Sequence, residues 1–306
     1  MCCLFGFYNY SGQPIGNLSH LTNCLAEEAT ARGTDATGIA YNHKGNLIIH
    51  KEPKSAFQVN FKHPDDIVSV TGHTRHSTQG DKKKNYNNHP FSGHCKNGRF
   101  ALAHNGVLIN DRELRRELHL PHTKIETDSY IAVQLIEKKK MLNIESIKFM
   151  TERAEGSFAF SILGSDNTLW LIRGESPLSL IHIPKYKLYV YASTDKILFK
   201  ALVGTKLFAE IKKGAFEEFD INPGDILSIS PDGTIVYDKF NYKDYSCFGN
   251  CNWWDYDITE NKYENSYLDD LKSVAVYQGY SPDEVDELLR SGFTPEEIEE
   301  YIYCME

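Results

Sequence analysis

Apolar residues follow two rhythms along this chain. Residues 4–8, 67–74 and 100–104 form short, nearly unbroken apolar runs, and each predicts a buried strand. Leu18, Leu21, Leu25 and Ala29 instead recur at helical spacing, which predicts a helix over 17–31 with one face on a core. Residues 37–41 and 46–50 flank His43-Lys44-Gly45 and read as a hairpin. Helical patterns return over 111–118, 129–139 and 144–154. Strand-like runs then follow at 158–163, 169–173, 178–183 and 188–192. A last pair, 225–230 and 234–238, flanks the turn Pro231-Asp232-Gly233. Strands, then helices, then strands again predict an α+β layered domain over 1–240 rather than alternating βαβ units.

Residues 241–266 break both rhythms. They are rich in Tyr, Trp, Asn and Asp, and Trp253 and Trp254 are costly to leave in water. The segment is expected to be a linker packed on the main domain. The remainder, 267–306, carries a repeat. Gly279-Tyr280-Ser281-Pro282-Asp283-Glu284-Val285 returns thirteen positions later as Gly292-Phe293-Thr294-Pro295-Glu296-Glu297-Ile298. Each copy places a hydroxyl residue before Pro and a Glu three positions after that hydroxyl. This is the pattern of an N-cap, a first-turn proline and a capping box, Ser281 with Glu284 and Thr294 with Glu297. Helices this short need a packing partner, so a small helical module is expected, with 268–278 as its third member.

Composition narrows the function classes. Hydrophobic content of 41% and charged content of 25% fit a globular protein. No apolar run approaches the ~20 residues of a membrane span, and no secretory signal opens the chain. Seven scattered cysteines suggest no disulfide framework, so a cytoplasmic location is expected. The net charge of −9 resides in 267–306, where eleven acids meet two bases. The rest balances and offers no basic face for nucleic acid. Cys247 and Cys251 have a spacing zinc could use, but only Cys304 could join them, so neither metal nor cofactor is expected.

Candidate chemistry starts at Cys2. Loss of Met1 would leave one residue with a thiol and a free α-amine, a nucleophile and a base on the same α-carbon. The amine titrates near pH ~8 and an ordinary thiol near ~8.5, so both can exchange protons near neutrality. Alone, such a cysteine is as easily an incidental core residue. Four further segments change that: Arg32-Gly33-Thr34-Asp35-Ala36-Thr37-Gly38, Gly72-His73-Thr74-Arg75-His76-Ser77-Thr78-Gln79-Gly80, His104-Asn105-Gly106 and Thr127-Asp128-Ser129. Asn88-His89-Pro90-Phe91 lies between the second and third. In this order, behind Cys2, they resemble the class II glutamine amidotransferase domain, an N-terminal-nucleophile hydrolase, over about residues 2–240.

The resemblance implies a four-layer αββα sandwich with the nucleophile on an inner strand. It implies that Cys2 attacks the glutamine side-chain amide, releases ammonia and leaves a thioester that water converts to glutamate. Asn105 and the Gly106 N–H would hold the oxyanion, although Asn-Gly after the strand 100–104 is also a plain tight turn. Arg75, helped by Thr78, would pair the substrate carboxylate in a two-pronged fashion. Asp128 would take the substrate ammonium while capping the helix that follows. Arg32 and Gly33 would hold the N-terminal strand in place. His104, like His73, His76 and His89, reads as structural support. Residues 81–86 fit either a lid over bound glutamine or a solvated insertion. Cys3 stands where many family members have Gly, and His76 where an aromatic is usual.

About 65 residues follow position 240, too few for a fused synthase. The expected function is therefore glutamine hydrolysis that supplies ammonia to a separate synthase subunit. Two alternatives stay open, a hydrolase of another γ-glutamyl amide and a non-catalytic glutamine-binding regulatory protein.

Overall fold

The computed structural model describes residues 2–243, 281–290 and Ile298. The chain divides into two compact units, Met1–Tyr245 and Ser246–Glu306. The aromatic segment with Trp253 and Trp254, the cysteines Cys247, Cys251 and Cys304, residues 268–278 and the capping box of the second repeat copy lie outside the described residues.

The first unit opens with β1 (Cys3–Asn9), whose seven residues are all buried. A strand apolar on both faces must sit between two layers, and the alternation of its side chains shows which. Cys3, Phe5 and Phe7 join a core built with Leu18, Leu21 and Leu25 of α1 (Leu18–Glu28) and with Leu198 and Leu202 of α5 (Asp195–Val203). Leu4 and Tyr8 point the other way, into a second core between two sheets. β1 is central in a seven-stranded sheet, flanked by β10 (Leu188–Ala192) and β4 (Ser69–Arg75). Beyond β4 lie β2 (Ala36–His43) and β3 (Asn46–Glu52), the predicted hairpin. Beyond β10 lie β9 (Ser179–Ile183) and β11 (Glu217–Phe219).

The second sheet has six strands. In spatial order they are β13 (Ile235–Lys239), β12 (Asp225–Ile229), β8 (Leu169–Arg173), β7 (Gly156–Gly164), β6 (Gly98–Leu108) and β5 (Phe91–Cys95). Ala101, Ala103, Ala159 and Leu171 face the first sheet. Phe100, Leu102, Phe160 and Ile162 face α3 (Tyr130–Lys139) and α4 (Ile144–Thr151). The short helices α2 (Asp111–Glu117) and α6 (Phe208–Lys212) complete the unit. Two antiparallel sheets between two helical layers make the expected four-layer αββα sandwich.

Three features differ from the sequence reading. The strand expected to end at His104 runs on to Leu108, so Asn105-Gly106 is not a turn but lies within β6, opposite Ala159 and Phe158. β5, α6 and β11 are too short to be predicted, whereas α5 carries helical spacing at Ile197, Leu198, Ala201 and Leu202 that is absent from the sequence reading. Asp128 does not cap α3, because its carboxylate instead accepts the Leu108 N–H of β6 at 2.7 Å. Residues 81–85 are exposed, with Lys84 pairing with Glu126 at 2.6 Å and Glu126 also accepting the Asp81 N–H, which fits either expectation for this segment.

In the second unit, α7 (Pro282–Arg290) starts as the repeat predicts. The Ser281 N–H donates to Glu284 at 2.6 Å, and the Glu284 N–H donates back to the Ser281 hydroxyl at 3.3 Å. Among the described residues no helix is long and apolar enough to cross a membrane.

Candidate active site

Sheet register brings the key segments to one end of the first sheet. Cys3 pairs with Thr74 and Ala36 with Arg75, so β1 and β2 begin where β4 ends. Phe5 pairs with Ala192, which places Ser193 at the same end. Cys2 therefore emerges beside the residue after β4, and its Sγ lies 3.4 Å from both the N–H and the carbonyl of His76. Burial pushes the Cys2 thiol up, while the His76 N–H and the Arg75 cation pull it back down and the Asp128 carboxylate pushes it up again. The sulfur, the guanidinium and the carboxylate thus share one electrostatic environment.

Arg32 and Gly33 brace this end. After α1 the chain tightens into a 3-10 turn, Ala29–Ala31, anchored by the Thr74 hydroxyl donating to the Ala29 carbonyl at 2.8 Å. The Arg32 guanidinium then donates to the Cys2 carbonyl at 3.1 Å. Gly33 passes so close to β4 that an added Cβ would sit 2.6 Å from the Arg75 carbonyl carbon and 2.8 Å from the His76 nitrogen. That peptide carries the Cys2 contacts, so a side chain at position 33 would displace the cradle of the sulfur.

Arg75 is 3% exposed. Its guanidinium donates to the Asn88 side chain at 2.6 Å and to the carbonyls of Gln79 and Gly80 at 2.6 and 3.2 Å. None of these partners carries a charge, so the cation keeps its capacity for a carboxylate. Thr78 is exposed on the loop after β4. Glu126 gathers that loop, taking Lys84, the Asp81 N–H and the Asn87 amide, and these hold its carboxyl well below the usual range.

Asn105 is buried, and its amide donates to the Ser193 hydroxyl at 3.3 Å. The same hydroxyl accepts the Leu4 N–H at 2.8 Å. Ser193 therefore ties the proposed oxyanion donor to the strand that carries Cys2. It is a site residue the sequence reading missed, since a serine after an apolar strand carries no signal of its own. Asn88 was part of a quoted segment, but its hold on Arg75 could not be foreseen. Gly106 has φ +137°, and an added Cβ would meet the Ser157 carbonyl, its carbon at 2.6 Å.

Cys3 lies in the core with α1 and α5. Neighbouring strand residues point to opposite faces, so the second thiol does not share the Cys2 environment, and burial pushes it up as well.

His73, His89 and His104 form a buried cluster, with the first two ring centroids 4.1 Å apart. His73 bonds the His104 carbonyl at 2.9 Å, and His104 bonds the Ser129 hydroxyl at 2.8 Å. Burial holds all three rings below their usual range, His73 at about 3. They are neutral near pH 7, and none of their nitrogens touches Cys2 Sγ, which agrees with a supporting role. The unfolded chain binds protons at these rings near pH ~6.5, before the folded one does, so stability is present above that pH and is lost as pH falls towards the folded values. At pH 5 His73 alone is expected to cost about 2 kcal/mol. A urea midpoint that stays constant from pH 7 to 5 would contradict this.

A family model for a glutamine amidotransferase domain matches residues 73–200, which include Arg75, Asn105, Asp128 and Ser193. The chain carries a class II glutamine amidotransferase domain. Amidophosphoribosyltransferase from Methanocaldococcus jannaschii is 29% identical over 252 residues, 79% of this chain and 50% of that protein. Isomerizing glutamine–fructose-6-phosphate aminotransferase from Listeria innocua is 34% identical over 159 residues, 50% of this chain and 26% of that protein. The chain thus spans half or less of the length of these two relatives. Glutamine phosphoribosylpyrophosphate amidotransferase from B. subtilis shares the fold, with a TM-score of 0.60 at 22% identity over 79% of this chain and 50% of that one.

Proposed function

We propose that this domain hydrolyses the side-chain amide of glutamine through Cys2 once Met1 has been removed. The observation that carries this reading is the convergence on one end of the first sheet. There the Cys2 sulfur lies 3.4 Å from the backbone N–H of His76, next to Arg75, and Ser193 links Asn105 to the strand of Cys2. In this reading Arg75, with Thr78, takes the substrate carboxylate, and Asp128 takes the ammonium.

The raised thiol must lose its proton to react, and the α-amine on the same residue accepts it. Sulfur then bonds to the amide carbon, and the carbonyl electrons move to oxygen, where the Asn105 amide and the Gly106 N–H stabilise them. Collapse breaks the carbon–nitrogen bond. The ammonium delivers its proton to the leaving nitrogen, and ammonia departs from a γ-glutamyl thioester. Water, deprotonated by the same amine, attacks the thioester and releases glutamate and thiol. Arg32, through the Cys2 carbonyl, and Gly33 keep nucleophile and base in register.

The ammonia serves an acceptor site outside residues 1–306, on a separate synthase subunit, and the setting is the cytoplasm. The names of the curated relatives, both transferases, support an acceptor for the ammonia.

Purified protein shown by mass to lack Met1 is expected to release glutamate and ammonia from glutamine in equal amounts. Faster turnover of an N-alkylated γ-glutamyl amide would select a different hydrolase. Tight glutamine binding with an intact thiol and no product would select a sensor.

A further inference from the structure

A cavity of about 450 Å³ is lined from the edge strands β3 and β5 of the two sheets and from the neighbouring β6. His50 and Lys51 come from β3, Ser92 from β5 and Arg99 from β6. Three of the lining side chains are basic and none is acidic. Glu52, nearby, pairs with His50 at 3.4 Å and with Lys54 at 3.0 Å, so its charge is already matched.

Lys51 is the unusual member. Its ammonium donates to the carbonyls of Asn88 and Pro90 and lies 5.1 Å from the centre of the Phe91 ring. All three partners are neutral. Burial, with help from the Arg75 cation, lowers its pKa to about 8, so the group is still charged near neutrality. A half-buried cation held by carbonyls alone gains most from an anion. Arg99 donates to the Ser92 hydroxyl at 3.1 Å, which leaves that hydroxyl its own hydrogen to donate.

We propose that this cavity binds the phosphate group of a small phosphorylated metabolite. Lys51 supplies a point charge, Arg99 a planar fork and Ser92 a neutral donor. A dianion suits a site with several basic groups better than a monocarboxylate does, and the volume falls within the range of small-molecule sites, roughly 300–1,000 Å³. The site also touches the machinery described above. Lys51 holds the Asn88 carbonyl, Asn88 accepts from Arg75 at 2.6 Å, and Arg75 holds the Gln79 carbonyl. An anion that draws Lys51 towards itself changes the support of Arg75. That Arg75 receives glutamine rests on the proposed function, whereas binding in the cavity does not.

Calorimetric titration of the full chain with inorganic phosphate and with glycerol 3-phosphate is expected to give saturable binding. Arg99→Ala should weaken it about tenfold, and Arg99→Lys should recover part of the loss. Amide signals of Asn88 and Gln79 in nitrogen-15 spectra should shift with occupancy. Equal affinity in Arg99→Ala, absence of saturation, or acetate binding as tightly as phosphate would overturn the site. Binding with unmoved Asn88 and Gln79 signals would overturn the coupling. Glutamine enters neither experiment, so both results stand apart from whether the chain hydrolyses it.

Discussion

Cys2→Ala should reduce glutamine turnover by roughly 10⁴-fold or more while leaving the fold and glutamine binding in place. The side chain is only partly buried, and its hydrogen bonds reach the His76 backbone alone, so truncation opens no core cavity. Arg75 keeps its bonds to Asn88, Gln79 and Gly80, and Asn105 keeps Ser193. A binding pocket without a nucleophile remains. Cys2→Ser is a sharper probe, because it preserves shape but substitutes a hydroxyl that gives up its proton far less readily. It should fall nearly as far in turnover and bind glutamine as the parent does. Cleavage of glutamine by either variant at parental rates would mean that the reacting group lies elsewhere.

Gly106→Ala should damage both stability and turnover. The residue holds φ +137°, and its new Cβ would press on the Ser157 carbonyl and lie 2.9 Å from the Phe158 Cα, all backbone of the paired strand β7. Neither side can yield without parting β6 from β7. A cost of about 3 kcal/mol follows from backbone strain of this kind. For a unit of this size it lowers the thermal midpoint by about 6–12 °C. Gly12→Ala is the matched control, since Gly12 also has positive φ, +68°, but nothing within 4 Å of an added Cβ. It should cost only about 1 kcal/mol. The difference between the two reports the clash together with the harsher dihedral at position 106, and equal midpoints would show that β6 and β7 adjust freely.

Position 106 also shows where sequence reasoning stopped. Asn-Gly is a strong turn signal, because both residues tolerate positive φ. Only the pairing of β6 with β7 reveals that the strand continues through it to Leu108. Only the capping role read for Asp128 failed, for the same reason. The local pattern pointed to a cap on the next helix, while its carboxylate reaches across to the Leu108 N–H. Ser193 and the tie from Lys51 through Asn88 to Arg75 are tertiary contacts with no local trace. What could be read was whatever one segment encodes by itself. That includes β1 as an apolar run buried on both faces, α1 from its three- and four-residue spacing, the β2–β3 hairpin and the capping box of α7. The motif order behind Cys2 gave the family. The register of the first sheet then explained why the segments of Cys2, Arg32, Arg75 and Ser193 meet at one end, with Asn105 reaching them from β6 through Ser193.

The central claim is that Cys2, freed at its amino group, is the reacting residue. It is tested most directly by intact mass after incubation with a diazoketone analogue of glutamine, followed by peptide mapping. The account predicts a chain lacking Met1 that carries a single adduct on Cys2. Met1 retained in active protein, or an adduct on Cys24 or any other thiol in place of Cys2, would contradict it.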